Sequence, residues 1–404
     1  MQATILRLGH LGDGIAEGPV FVPRTLPGEV VEGELSGDRL ASPRIVTPSS
    51  NRVSAPCPHY RGCGGCALQH ASDDFVADWK AGVVETALSA VGIEAKVRRV
   101  HTSPPGSRRR ATFTGRRTKS GAIIGFHAPY SDAIREVPHC LLVRPALVEA
   151  LPVLERIVTL GGSRKGEVRL TVTETDSGLD VAVTGGKPID VSLQAHFGAV
   201  AAEAGLARLS WDREVVAMER PPLVQFGRAQ VTPPPGAFLQ ATTEGEAALV
   251  AGVREALDGA TGDIVDLFAG CGTFSLPLAE RGHVHAVEAE EEMLEALDRG
   301  WRHAPGLHAV TTETRDLFRR PLDAEALSHF GAAVIDPPRA GAERQVESLA
   351  ASNISRVAMV SCSPVTFARD TARLVQAGFG IAWMDVVDQF RWSTHVEIIA
   401  AFTR

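Results

Sequence analysis

The stretch Gly262–Arg281, Gly-Asp-Ile-Val-Asp-Leu-Phe-Ala-Gly-Cys-Gly-Thr-Phe-Ser-Leu-Pro-Leu-Ala-Glu-Arg, constrains the fold more than any other part of the chain. An apolar run of Ile264, Val265, Leu267 and Phe268 stops at Gly270 and Gly272, and small residues at helical spacing follow. That order predicts a strand, a tight turn and the start of a helix. Glycines at the turn let the backbone bend sharply and let a ligand approach it, because no Cβ intervenes. Two acids add to the pattern. Asp266 stands near the strand end, and Glu288 follows the next apolar segment, His283–Val287, where a carboxylate can accept from both hydroxyls of a ribose. A plain glycine turn in any α/β sheet also fits this stretch, whereas a nicotinamide dinucleotide fold wants a third glycine where Thr273 and Phe274 stand.

A chain of 404 residues exceeds what one hydrophobic core organises, so more than one domain is expected. Motif placement divides it into residues 1–50, residues 51–235 and residues 236–404. No apolar run of about 18 residues or more suggests a membrane span. The N-terminus lacks a charged head followed by an apolar stretch, and the expectation is a cytoplasmic protein. The net charge of −7 argues against wholesale polyanion binding, yet it is unevenly spread. Residues 51–150 carry 14 Lys and Arg against 8 Asp and Glu, whereas residues 251–404 carry 14 against 22. The asymmetry leaves room for a local nucleic-acid surface.

Residues 1–50 read as short β-rich pieces punctuated by glycine and proline, which predicts a small antiparallel barrel. The pattern Gly9-x-x-Gly-x-Gly-x-Ala with Phe21-Val-Pro resembles the TRAM module of RNA-modifying enzymes. Cys57, Cys63 and Cys66 then follow C-x5-C-x2-C, and Cys140 lies far downstream. Disulfides are not expected inside a cell. Structural zinc usually draws on two close pairs, so a tight triplet with a distant fourth thiolate favours a [4Fe–4S] cluster, with zinc as the alternative. A helix is predicted over 71–92, capped at Ser72. Arg98-Arg99 and the run Arg108–Lys119 form the strongest basic segment, which fits a strand whose exposed face meets phosphates or an edge strand kept from aggregating by charge. Residues 120–230 look like an α+β insert, and Pro233–Pro235 reads as a linker.

Strands and helices alternate beyond Glu288: a helix over Glu290–Trp301, a strand Gly331–Ile335 ending in Asp336-Pro-Pro-Arg-Ala-Gly341, and a strand Ile354–Val360 ending in Ser361-Cys-Ser-Pro364. Two last strands, Gly380–Val387 and His395–Phe402, pair as a hairpin. Such alternation implies a parallel sheet, and its ligands lie outside the carboxyl ends of the strands. Asp266, Glu288, Asp336 and Cys362 fall at those ends. Glu397 begins the last strand, which reaches the same edge if it runs antiparallel. Five polar or nucleophilic groups are thus expected on one rim. Cys362 reads by default as a buried core residue, or, at a strand end beside a helix start, as an activated thiolate.

Phe238-Leu-Gln240, Asp266-Leu-Phe-x-Gly-x-Gly272, Asp336-Pro-Pro-Arg-x-Gly341, Val360-Ser-Cys-x-Pro364 and His395-Val-Glu397, in this order, resemble the RNA uracil-5-methyltransferase family, which includes bacterial 23S rRNA and transfer-RNA enzymes. The cysteine quartet is similar to the cluster-bearing branch of that family. The resemblance implies a class I Rossmann-like methyltransferase domain, mostly parallel with a C-terminal antiparallel hairpin. A central α+β domain and an N-terminal TRAM- or OB-like barrel would precede it. It further implies S-adenosylmethionine held by Gln240, Phe268, Gly270, Thr273, Glu288, Asp316 and Asp336, and catalysis by Cys362 as nucleophile and Glu397 as base. A [4Fe–4S] cluster would sit on Cys57, Cys63, Cys66 and Cys140, and the substrate would be RNA, 23S rRNA or tRNA. A monomer is the default expectation, which no motif dictates. A catalytically silent RNA-binding factor is the rival of another class. Two departures stand out: Phe390-Arg-Trp-Ser where the family has Phe-Pro-x-Thr, and Gln240-Ala-Thr where it has Gln-Val-Asn.

Overall fold

A computed structural model describes residues 1–40 and 42–404. Its largest sheet has eight strands in the spatial order Val310–Thr314, Val284–Glu288, Ile264–Leu267, Ala332–Ile335, Arg356–Ser361, Ile398–Thr403, Gly380–Asp388 and Arg99–Thr102. Every neighbouring pair is parallel except where Ile398–Thr403 inserts antiparallel to both its neighbours. The predicted hairpin therefore forms, and its return strand starts at the edge where the parallel strands end. Chain direction across the sheet reverses between Ile264–Leu267 and Ala332–Ile335. A doubly wound sheet opens a crevice at that point.

Strand side chains alternate between two cores. Ile264, Ala286, Val334, Val360 and Ile399 pack beneath the helices Thr243–Ala256 and Glu291–His303. Val265, Val287, Ile335, Met359 and Phe402 face the helices Glu343–Ala351 and Pro364–Gln376. Burial on both faces explains why these strands read as nearly unbroken apolar runs. The helix Asp73–Ser89 adds Val84 and Leu88 to the second core, and Ser72 caps it by accepting from the Phe75 amide.

The eighth strand comes from a part of the sequence assigned to the central segment. Arg99–Thr102 lies parallel to Gly380–Asp388, with Asp385 opposite Arg99. Just before it, Arg98 grips Asp385 with two guanidinium nitrogens, at 2.9 and 2.7 Å, and stacks over Trp383. The expectation that Arg98 belongs to a phosphate-facing surface is corrected accordingly.

A second sheet of seven strands has Arg110–Arg117 near its middle, paired on one side with Ala122–His127 and on the other with Val168–Thr175. It is not an edge strand. Ala111 and Phe113 enter a core closed by the helices Leu151–Gly161 and Val191–Ala204. Among the described residues the N-terminal sheet also has seven short strands, around Ile5, Val20, Val22, Val31 and Leu40. Among the described residues no helix is long and apolar enough to cross a membrane.

Candidate active site

A cavity of about 520 Å³ opens at the crevice. Gln240, Phe268, Gly270, Thr273, Glu288, Asp316, Asp336, Cys362 and Glu397, all singled out from the sequence, line it. The turn after Ile264–Leu267 shapes its floor. Phe268, Gly270 and Gly272 take φ values of 66°, 56° and 94°. At Gly272 an added Cβ would also come within 3.0 Å of Leu276, so that position needs glycine twice over. Glu288 folds back onto the turn, accepting from the Gly270 amide at 3.0 Å and the Ala289 amide at 2.7 Å. Asp316 accepts from the Phe318 amide at 3.0 Å, which brings the Phe318 ring to 5.4 Å from that of Phe268. These two rings, tilted 55° to each other, form an apolar patch of the cavity wall that also carries Glu288 and Asp316.

Cys362 and Glu397 share the far end of the cavity with Asp336. Burial is the main cause that lifts the Glu397 and Asp336 carboxyls above their ordinary range; the charge of Asp266 adds to it at Asp336, and that of Asp336 adds to it at Glu397. The Cys362 thiol is pushed up to about 11 by burial and by the charges of Glu397 and Asp336. At the mouth, Arg339 donates to the His395 imidazole at 2.8 Å, and His395 meets Phe390 edge-on.

Asp266 departs from expectation. It shares the parity of Ile264, so its side chain enters the first core instead of the rim, where it is fully buried and accepts from the Ser275 hydroxyl at 2.6 Å. Burial raises its carboxyl to about 7. Asp266, Asp336 and Glu397 thus all bind protons more tightly folded than unfolded. Their stabilising contribution is complete below the ordinary carboxylate range and is lost as pH rises towards and through neutrality. The ligand-free protein is expected to lose this contribution, and to melt at progressively lower temperature, from about pH 4.5 to about pH 8, and a flat or rising melting profile over that range contradicts this assignment.

Gln389 was not singled out from the sequence, yet it touches both ends of the site. Its Nε2 donates to Gln240 Oε1 at 2.6 Å and to Glu397 Oε2 at 3.2 Å. The basic run also reads differently in three dimensions. Arg109 is buried and paired with Glu246 at 2.5 Å, and it donates to the Gln240 carbonyl. Arg110 reaches the Gly236 carbonyl, and Arg108 lies over the Phe390 ring. Burial lowers the Arg108 and Arg110 guanidinium values. These three arginines pin the cavity wall from behind instead of facing phosphates.

Cys57, Cys63, Cys66 and Cys140 line one small cavity, walled by Phe126, Val137 and Leu142. Burial pushes the Cys66 thiol up to about 12, and Cys57, Cys63 and Cys140 add to the rise. Among the described residues no three His, Cys, Asp or Glu side chains converge closely enough to hold a metal ion. The four sulfurs are gathered, but not onto one point.

The profile of the tRNA (Uracil-5-)-methyltransferase family matches residues 306–403. An RNA methyltransferase of Brucella suis biovar 1, whose name marks it as uncharacterized, is 41% identical over 406 residues, covering 100% of this chain and 98% of its own. The 23S rRNA (uracil(1939)-C(5))-methyltransferase of Halomonas elongata is 32% identical over 444 residues, covering 98% of this chain and 88% of its own. The chain belongs to the RNA uracil-5-methyltransferase family. This uracil-5-methyltransferase also shares its fold with the tRNA (uracil-54, C5)-methyltransferase of Pyrococcus abyssi, solved with S-adenosyl-L-homocysteine. The TM-score is 0.77 at 23% identity, over 100% of this chain and 99% of that one.

Proposed function

We propose that this uracil-5-methyltransferase makes 5-methyluridine in 23S ribosomal RNA through a transient covalent bond between Cys362 and carbon 6 of the target uracil. One observation carries the reading: a thiol and a carboxyl, Cys362 and Glu397, line the same cavity as Gln240, Glu288 and Asp316. The Halomonas relative supports the ribosomal target. A transfer-RNA target is the second reading, favoured by the name of the matched family and by the archaeal enzyme of the same fold.

S-adenosylmethionine, when bound, supplies an electrophilic methyl on a positively charged sulfur. The residues fit such a molecule: Phe268 and Phe318 offer an apolar wall against which a flat base can lie, Glu288 and Asp316 stand on the same cavity wall for a ribose, and Asp336 and Glu397 offset a cation. Gly270, Thr273 and Gln240 complete the wall assigned to it. Carbon 5 of uracil is a weak nucleophile, because no free electron pair is aimed at it. Addition of the Cys362 sulfur to carbon 6 turns the ring into an enolate whose carbon 5 takes the methyl. Glu397 then removes the proton from carbon 5, the carbon 6–sulfur bond breaks, and its electron pair returns to sulfur as the ring double bond reforms. Cys362 loses its own proton more readily once a positive charge sits beside Asp336 and Glu397. The target uridine must leave its stack to reach Cys362. Flanking RNA is assigned to the N-terminal sheet and to Arg117 and Lys119, which have no ion-pair partner among the described residues and, unlike Arg108 and Arg110, are not held behind the cavity wall.

The deciding experiment maps 5-methyluridine in ribosomal and transfer RNA from cells lacking the gene. Loss from 23S rRNA alone is expected. Loss from tRNA alone overturns the ribosomal target, and no loss from either overturns the reaction in favour of a silent RNA-binding factor.

For the cysteine quartet we assign a [4Fe–4S] cluster. A cubane places one thiolate on each of four irons, so its ligands need not meet within the ~2.3 Å of a single zinc ion. What supports the reading is that all four thiols line one small, largely apolar cavity. Protein purified without oxygen is expected to be brown and to hold about four irons per chain, and Cys140→Ser to lose both colour and iron. Zinc without iron sinks the assignment.

A further inference from the structure

We propose that Gln389 is a positioning residue for methyl transfer: it holds Glu397 as a proton acceptor and ties that carboxylate to Gln240 at the donor end of the cavity. The inference rests on the reaction proposed above. It adds a residue to which neither the resemblance nor the motifs pointed.

Hydrogen bonding leaves the Gln389 amide one orientation. The Ala241 backbone N–H donates to Gln389 Oε1 at 2.8 Å, so that end must be the carbonyl. A flipped amide would set NH₂ against N–H. Both hydrogens on Nε2 are then spent, one on Gln240 Oε1 and one on Glu397 Oε2. The three side chains are 1%, 3% and 4% exposed for Gln389, Gln240 and Glu397, so water does not compete for these bonds.

The backbone beneath Gln389 is equally constrained. Its amide donates to the Val387 carbonyl at 3.0 Å, and the Val387 amide donates to the Glu397 carbonyl at 2.8 Å. On either side, the fully buried Lys80 pairs with Asp388 at 2.5 Å and donates to the Phe390 carbonyl at 3.3 Å. Gln389 is thus presented from a pinned segment.

Two chemical consequences follow. An N–H aimed at Glu397 Oε2 favours the ionised carboxylate, against the burial and the Asp336 charge that oppose it. It also occupies Oε2, leaving Oε1 as the oxygen that takes the carbon-5 proton. At the other end, the bond to Gln240 Oε1 leaves the Gln240 NH₂ as the end free for a ligand acceptor. A ligand that shifts Gln240 therefore shifts the base with it.

The test is Gln389→Met, which keeps volume and removes the donor, with Gln389→Glu alongside. Single-turnover assays on a 23S rRNA fragment are read together with thermal melting and S-adenosylhomocysteine titration. Expected for Gln389→Met are an unchanged RNA KM, a modest drop in melting temperature because the Ala241 N–H and Gln240 Oε1 lose their partner, and kcat lowered roughly 10- to 100-fold, the loss of one hydrogen bond to a charged group. A covalent protein–RNA species should accumulate, and the pH midpoint of kcat/KM should move upward, because Glu397 then ionises less readily. Gln389→Glu, which sets a second acid against the base, is expected to move that midpoint further. Unchanged kcat and pH midpoint in Gln389→Met overturn the proposal, as does a loss confined to melting temperature. A wild-type enzyme that never forms a covalent RNA species sinks the proposed chemistry instead, and the two failures are distinguishable.

Discussion

Replacing Cys362 by alanine is expected to cut methyl transfer by roughly 10⁴-fold or more and to abolish covalent capture of RNA carrying 5-fluorouridine. Without sulfur at carbon 6, no enolate forms and carbon 5 keeps its low reactivity. The cavity contains its own control. Cys271 also lines it, but that side chain is buried with its sulfur 3.0 Å from the Met293 sulfur. Burial pushes the Cys271 thiol up to about 12. Cys271→Ala is expected to retain the reaction, and both variants to bind S-adenosylhomocysteine as the wild type does in a calorimetric titration. An active Cys362→Ala enzyme would mean that the methyl goes to a ring nitrogen or another acceptor that needs no covalent help.

Glu397→Gln is expected to fail later, and that difference in timing is the informative part. The amide is nearly the same shape, so Cys362 still adds and the methyl still moves. The carbon-5 proton then has no acceptor, and the carbon 6–sulfur bond cannot open. Turnover should drop by about 10²- to 10⁴-fold, the usual worth of a general base. A methylated protein–RNA complex resistant to detergent should build up, and only when the methyl donor is present. Free 5-methyluridine released at the wild-type rate would remove Glu397 from the mechanism. Asp336, the other carboxyl beside Cys362, would then be the remaining candidate.

Most of the catalytic sheet was legible because its strands are buried on both faces and separated by amphipathic helices. Glu397 was placed correctly by one inference about direction: a hairpin partner must run back, so its first residues sit at the rim. Asp266 was misplaced by the same style of reasoning. Nearness to a strand end says nothing about which face a side chain takes, and its parity with Ile264 was the available clue. Arg109 and Gln389 were harder to read. The partner of Arg109 lies 137 residues downstream, and Gln389 meets Gln240 across 149 residues. Charge clustering along the chain suggested phosphates where the folded protein uses a buried ion pair. A lone glutamine gives no periodic or compositional signal at all.

The unusual Phe390-Arg-Trp-Ser segment has a mechanical consequence. Phe390 at its start and His395, two residues beyond its end, both line the cavity. Its middle is fastened elsewhere: the Trp392 carbonyl takes amide hydrogens from Ala67 at 2.8 Å and Leu68 at 2.9 Å, immediately after Cys66, and Arg391 pairs with Asp73 at 2.5 Å. Residues 236–404 are therefore no interchangeable cassette. Cut free, they would forfeit an edge strand, the counter-ion of Asp388 and the anchor of this loop in one stroke. Whatever disturbs the cysteine-bearing turn is expected to slacken the part of the cavity wall formed by Phe390 and His395.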